Sequence, residues 1–209
     1  MVIDMLTFEI IKDSEFDECS DLFAESFLDY DYFAMYVRDK DTRRIFLKRM
    51  ILMEMNTNRD IEYFLGAKEN GKIVAFTAMC PPEYKEPSYF QYMKHGLLKC
   101  VLTGGIKDSL SWAKMEAKAK APCMSLDNTW YINSITVDKN LIGQGIGTDF
   151  MSYGIIPFIK EKGGNAMCLF TNSEINRKFY IKNSFEEFDS TTFSYKGTTI
   201  GSWSYKRDI

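Results

Sequence analysis

Three glycines at alternate positions, Gly143, Gly145 and Gly147, stand between an apolar run, Trp130–Val137, and a stretch whose apolar residues recur at helical spacing. A strand that feeds a helix through such a loop can turn successive backbone N–H groups toward one point, because no Cβ blocks the approach. The first turn of the helix adds unsatisfied donors and the positive end of its dipole. The chemistry on offer is anion binding, and a pyrophosphate suits such a cradle. Two well-defined phosphate motifs do not fit. A P-loop ends in Gly-Lys-Ser/Thr, which is absent. The dinucleotide fingerprint needs a glycine where Thr148 stands and an acidic residue closing the next strand, which ends at Thr171-Asn172 with only Glu174 beyond.

A second group of residues lies downstream, Asn176-Arg-Lys-Phe179-Tyr180-Ile-Lys-Asn-Ser184-Phe185. Together the two stretches resemble the GNAT superfamily of N-acetyltransferases. The loop Ile142 to Gly147 is similar to that family's Arg/Gln-x-x-Gly-x-Gly/Ala acetyl-CoA loop. Ile135-Thr136-Val137-Asp138 resembles the family's approach to it, and Asn176 to Phe185 resembles the N-x-x-F-Y-x-x-x-G-F segment. The resemblance covers residues 129 to 188, and the N-terminal half follows the family only in its order of elements. Trp130, Pro157 and the stretch through Trp203 to Arg207 look like the puromycin acetyltransferase branch. Two positions depart from the pattern. Ile142 stands where Arg or Gln is usual, and Ser184 where Gly is usual.

The resemblance implies a cofactor site and a reaction. The backbone of Ile135, Thr136 and Val137 would pair like a strand with the pantetheine arm of acetyl-CoA. Ile142, Gly143, Gln144, Gly145, Ile146, Gly147 and Thr148 would hold the pyrophosphate. Asn172 and Asn176 would bond the pantetheine or lie beside it, and Phe179 would pack against the cofactor. Tyr180 would be the general acid for the departing thiolate, since a phenol in reach of sulfur can donate as charge develops there. The alternative for Tyr180 is a core aromatic with a satisfied hydroxyl. The implied activity is direct acetyl transfer to a primary amine of a small molecule or peptide. Two other readings stay open: an acyl-CoA-binding module without turnover, and a dinucleotide-dependent oxidoreductase using the same glycines.

The group that takes the amine's proton is not named by any motif. Candidates are Asn133 and Ser134 before the loop, Glu62 and Glu69 on the early strands, and Glu83 and Glu116 further on. His95 is the only histidine, and its ordinary pKa lies nearest neutrality; a packing or surface role competes with that reading. Cys168 as a covalent relay conflicts with its place mid-strand in an apolar run.

The elements that must position these residues can be read from periodicity. Leu6–Ile11 alternates as a strand, and 15–27 has helical spacing, with Ser14 and Asp17 resembling its cap. The aromatic segment Asp29 to Tyr36 suits a core or a pocket wall, and 41–56 reads as a second helix. Strands 61–67 and 72–80 flank Asn70-Gly71, a hairpin turn. Residues 81–123 form a helical insertion, a pair with Phe90, Met93, Leu97 and Val101 on one helical face of the first segment and Ile106, Leu110, Ala113 and Ala117 repeating the pattern on the second. Beyond the glycine loop come a helix 148–162 with Pro157 inside it, strand 166–171, helix 176–182 and strands 187–194 and 200–205. The order gives an α+β fold, or α/β with a mixed and mostly antiparallel central sheet flanked by helices, in a single domain over 1–209.

Bulk properties exclude several classes. A net charge of -3 with 26 Lys and Arg against 29 Asp and Glu disfavours nucleic-acid binding. No apolar run reaches membrane-span length, and the start of the chain is acidic where a signal peptide is basic, so a cytoplasmic setting is expected. The five cysteines are widely spaced without a CxxC pair, which fits buried free thiols and no metal site. A monomer or homodimer is expected.

Overall fold

The computed structural model describes residues 6–209. The acidic start of the chain read above begins in residues 1–5, outside that range. The described residues build one seven-stranded sheet in the order β1-β2-β3-β4-β5-β7-β6. The strands are β1 Thr7–Ile10, β2 Tyr63–Glu69, β3 Lys72–Cys80, β4 Trp130–Val137, β5 Ala166–Thr171, β6 Glu186–Tyr195 and β7 Thr198–Asp208. Each neighbouring pair is antiparallel except β4 and β5. The mixed, mostly antiparallel sheet expected from the sequence is therefore the one that forms.

Helices cover both faces. One face carries α1 Phe16–Phe27, α2 Asp31–Ala34, α3 Lys40–Asn58 and the inserted α4 Tyr89–Lys94, α5 Leu97–Gly104 and α6 Ile106–Met124. Its core joins Phe23, Phe46, Leu47 and Met115 to sheet residues such as Phe64 and Phe76. The other face carries α7 Ile146–Asp149, a π-helical segment Phe150–Ile155, α8 Ile156–Glu161 and α9 Glu174–Lys182. There Met151, Ile155 and Ile159 pack on Leu65, Val74 and Leu169. Strand neighbours such as Phe64 and Leu65 enter opposite cores because side chains alternate across a strand.

Two local features hold the site's supports. Arg43 of α3 is 6 % exposed and donates to the carbonyls of Leu28 (2.6 Å) and Val37 (2.8 Å), which brackets the aromatic segment between α1 and α3. Pro157 has no N–H to give. The wide π turn just before it absorbs that loss, and α7 through α8 runs on without a break.

The insertion corrects several expectations. It contains three helices, because Gly96 at φ 109° ends α4 after His95 and restarts the chain as α5. Pro122 lies inside α6. Phe90, Met93, Ile106 and Leu110 are exposed, while Cys100, Gly104, Ser109 and Met115 turn inward. The reason is a close approach that only a glycine allows: a Cβ on Gly104 would lie 2.8 Å from Phe46. That contact fixes the rotation of α5, and of the expected apolar stripes Leu97 packs on the core while Phe90, Met93, Ile106 and Leu110 face out. Ser14 and Asp17 do not cap α1. A 3-10 turn, Asp13–Glu15, leads into the helix, and Glu15 accepts the Lys12 N–H at 2.8 Å. No described helix is long and apolar enough to cross a membrane.

Candidate active site

β4 and β5 pair only at Trp130 with Met167 and Tyr131 with Cys168, and then diverge. The far edge of β4 stays bound to β3 as far as Val137, so the parting opens a cleft lined by one strand's edge. At its mouth Asp138 accepts the Asn140 N–H at 2.9 Å, an Asx-type turn that starts the loop. Gly143 (φ 84°) and Gly145 (φ 92°) then adopt left-handed conformations that disfavour other residues. Thr148 and Asp149 donate to the Gly145 carbonyl at 2.9 and 3.0 Å, whereas the N–H groups of Gly145, Ile146 and Gly147 find no backbone acceptor among the described residues. No Lys or Arg lies within 142–149, and Ile142 is 67 % exposed. Backbone donors are thus what the loop could offer an anion.

α9 is locked against this loop. A Cβ on Gly147 would lie 3.3 Å from the Phe179 ring and 3.7 Å from Val137, so the absent side chain is what lets loop, strand and helix meet. The helix ends in a Schellman motif: Phe185 N–H bonds Tyr180 C=O and Ser184 N–H bonds Ile181 C=O, both at 3.0 Å. Ser184 takes φ 59°, the left-handed position that the family pattern fills with Gly, and Phe185 comes back onto the Tyr180 ring with centroids 5.4 Å apart. Tyr180 is 8 % exposed, and its hydroxyl forms no hydrogen bond to another described residue. Burial, with the Tyr30 phenol nearby, pushes its pKa up and keeps it protonated. Tyr30 itself accepts the Asn172 N–H at 2.8 Å and shares a proton with Thr171 Oγ1 at 3.2 Å.

Beneath the parting lies a cavity of about 300 Å³. Asn133, Ser134, Ile135, Asn172, Asn176 and Tyr180 line part of it. Tyr30, Tyr32 and Trp112 also line it, with the carboxyls of Glu54, Glu62 and Glu116 set among aromatic rings. Burial raises all three carboxyl pKa values, to about 7 for Glu54 and Glu116 and about 8 for Glu62, where the Glu54 charge adds to the effect. Tyr32 donates its hydroxyl to Glu116. Lys120, the only cation in the lining, pairs with Glu86 at 3.1 Å. Side-chain polar atoms without a partner gather here: Glu62 Oε2, Trp112 Nε1, Tyr131 OH, Ser134 Oγ and Asn172 Oδ1 are all buried and on lining residues.

The residues singled out from sequence thus fall in three places. Ile135, Asn172, Asn176 and Tyr180 meet at the cavity, the loop 142–148 and Phe179 lie outside it at the cleft's mouth, and Thr136 is wholly buried with its hydroxyl unpartnered. The Val137 carbonyl already accepts the Ser26 hydroxyl, and the Asn172 amide donates to the Gly201 carbonyl at 2.7 Å. Among the base candidates, Asn133, Ser134, Glu62 and Glu116 reach the cavity. Glu69 sits at the hairpin end opposite Lys72, Glu83 borders a separate surface hollow, and His95 is exposed at the end of α4. Cys168 is fully buried on β5, not among the lining residues, and all five cysteines are unpaired. Sequence reasoning missed Glu54 and Tyr131, while Tyr30, Tyr32 and Phe33 of the segment read as a core or pocket wall do line the cavity. A lone Glu in an otherwise apolar turn of α3, Met53-Glu54-Met55, was the available signal for the first. Among the described residues no group of three or more His, Cys, Asp or Glu could hold a metal ion.

No protein-family model matches the sequence, and no curated protein does. Solved structures match along nearly the whole chain. PaiA N-acetyltransferase from Thermoplasma acidophilum, in complex with coenzyme A, aligns with a TM-score of 0.58 and 10 % identity over 98 % of this chain and 99 % of its own. The histone acetyltransferase HPA2 and related acetyltransferase from Corynebacterium glutamicum gives 0.65 and 16 % over 95 % and 94 %. Ribosomal-protein-S18-alanine N-acetyltransferase from Escherichia coli gives 0.58 and 11 % over 98 % and 94 %. The architecture this chain shares with them is the GNAT N-acetyltransferase fold.

Proposed function

We propose that the protein transfers acetyl from acetyl-CoA directly to the amine of a small molecule. The observation that carries this reading is the parting of β4 from β5 with a glycine-opened helix start at its mouth and a buried, acid-lined cavity behind it. The unsatisfied N–H groups of Gly145 to Gly147 suit a pyrophosphate, and the unpaired edge of β4 at Ile135 and Thr136 suits an extended amide-bearing arm. A cavity of about 300 Å³ is at the low end for ligand pockets, which favours a small acceptor over a peptide.

The bound thioester supplies an activated carbonyl carbon. The acceptor nitrogen attacks that carbon, the C–N bond forms, and the C–S bond breaks. Glu116 takes the proton from nitrogen, since its raised pKa of about 7 matches that of a base working near neutrality. Tyr180 gives its proton to the leaving sulfur. Cys168, buried away from the cavity, and Cys80, whose thiol burial holds protonated, leave direct transfer as the route. Calorimetry with acetyl-CoA, CoA and NAD, followed by thiol release against an amine panel, tests the reading. Binding of NAD without CoA would overturn it, and tight CoA binding without thiol release from any amine would mean a silent binding module.

A further inference from the structure

The cavity extends beyond what acetyl transfer to a single amine would use. It follows β4 from Tyr131 to Ile135, roughly 13 Å of strand. Ile135, Asn172, Asn176 and Tyr180 line the cavity where the strands have parted, and Glu116 lines it as well, its charge acting on both Tyr30 and Tyr131. At the Tyr131 end, Cys80 pairs with Tyr131 across the sheet and donates its thiol to Glu62 at 3.4 Å. Glu54 belongs to the same end. Asn58 donates to it at 3.1 Å, and Tyr84 donates to Asn58 at 3.2 Å.

The polar atoms left over have a pattern. Glu62 is 6 % exposed and Asn172 is 8 % exposed, and each lines the cavity with one side-chain oxygen unpartnered. Both oxygens only accept when the carboxyl is ionised and the Asn amide is donated to Gly201. Tyr131, 4 % exposed, leaves its hydroxyl unpartnered as well. Lys120 pairs with Glu86 and its charge also acts on Glu54 and Glu62, but neither carboxyl forms a salt bridge among the described residues. Trp112 Nε1 is the donor-only atom among those left over. An ammonium carries donors and no acceptors, the complement of the unpartnered oxygens, and the rings of Tyr84 and Tyr92 also line the cavity.

We propose that the acceptor carries a second cationic nitrogen, as a diamine or longer polyamine does, and that Glu54 and Glu62 hold it while the first nitrogen faces Glu116. The assignment of the first nitrogen rests on the transferase reading; the binding of the second does not.

The test compares α,ω-diamines of increasing chain length with the matched alkyl monoamines, by calorimetry on the CoA-loaded protein and by thiol release with acetyl-CoA. A diamine is expected to bind at least about tenfold more tightly than its monoamine, with an optimum at a longer chain than the shortest tried. In E54Q and E62Q the diamine-to-monoamine ratio of Kd collapses toward one. Equal affinity of the two amine classes in the wild type, which needs no variant to fold, would overturn the proposal. So would a ratio that survives both substitutions. Selective diamine binding without thiol release would sustain this site and overturn the transferase reading alone.

Discussion

Tyr32 donates its hydroxyl to Glu116, tying the aromatic segment after α1 to the inserted helix α6 across the cavity. One carboxylate oxygen is thereby held. Glu116→Gln keeps the shape and removes the base, so kcat/KM is expected to fall by about 10²–10⁴-fold with CoA affinity retained by calorimetry. The wild-type profile of kcat/KM should rise with pH through about 7, the raised value for Glu116, and that limb should vanish in the variant. A variant with near-normal rates would remove Glu116 from the chemistry.

Stability should follow the same carboxyls with the opposite slope. Glu54, Glu62 and Glu116 have folded pKa values of about 7, 8 and 7, above the ordinary 4.5. The folded protein therefore binds more protons than the unfolded chain in that interval. Their contribution is complete below about pH 4.5 and is lost as pH rises through about 7 to 8. The melting temperature of the ligand-free protein should fall between about pH 5 and pH 8.5, and Glu62→Gln should flatten the fall. A melting temperature that rises over that range would contradict the burial argument.

Tyr180→Phe removes a hydroxyl that forms no hydrogen bond to another described residue. Folding and CoA affinity should hold, because the ring contacts with Phe179, Phe185 and Tyr205 persist. Turnover should drop by about 10²-fold or more, most with the amines whose attack leaves the poorest thiolate departure. Wild-type turnover in this variant would return Tyr180 to the core.

Crowding the loop should separate binding from folding. Gly145→Trp places a large side chain at φ 92° over the free N–H groups and is expected to abolish CoA binding in calorimetry. Gly147→Val, whose Cβ would meet Phe179 at 3.3 Å, should weaken CoA and also lower the melting temperature. Unchanged affinity in both would mean that the phosphates sit elsewhere.

Ser184 offers a gain. Its φ of 59° costs a non-glycine residue roughly 1 kcal/mol, and the Schellman bonds around it do not use its side chain. Ser184→Gly is expected to raise stability by about 0.5–1 kcal/mol in denaturant unfolding, with activity preserved.

Much of the fold was legible because its signals are local. Asn70 at φ 51° and Gly71 at φ 80° form the expected hairpin turn, and the strands and helices from Trp130 onward lie close to where periodicity placed them. The rotation of the inserted helices was not legible. Gly104 against Phe46 decides it, a contact between residues far apart in the chain that overrides the apolar stripe.

What the sequence determined by itself was backbone chemistry: glycines that free N–H groups, a helix end that turns Phe185 onto Tyr180, and a strand that leads into the loop. Each depends on neighbours within a few residues, so spacing records it. Tertiary structure alone decided which carboxyls matter. Glu54, Glu62 and Glu116 come from α3, the approach to β2 and α6, and apart from the apolar neighbours of Glu54 nothing in their local sequence tells them from the exposed Glu83. Burial beside one cavity raises their pKa values, and burial is a property of how distant segments pack.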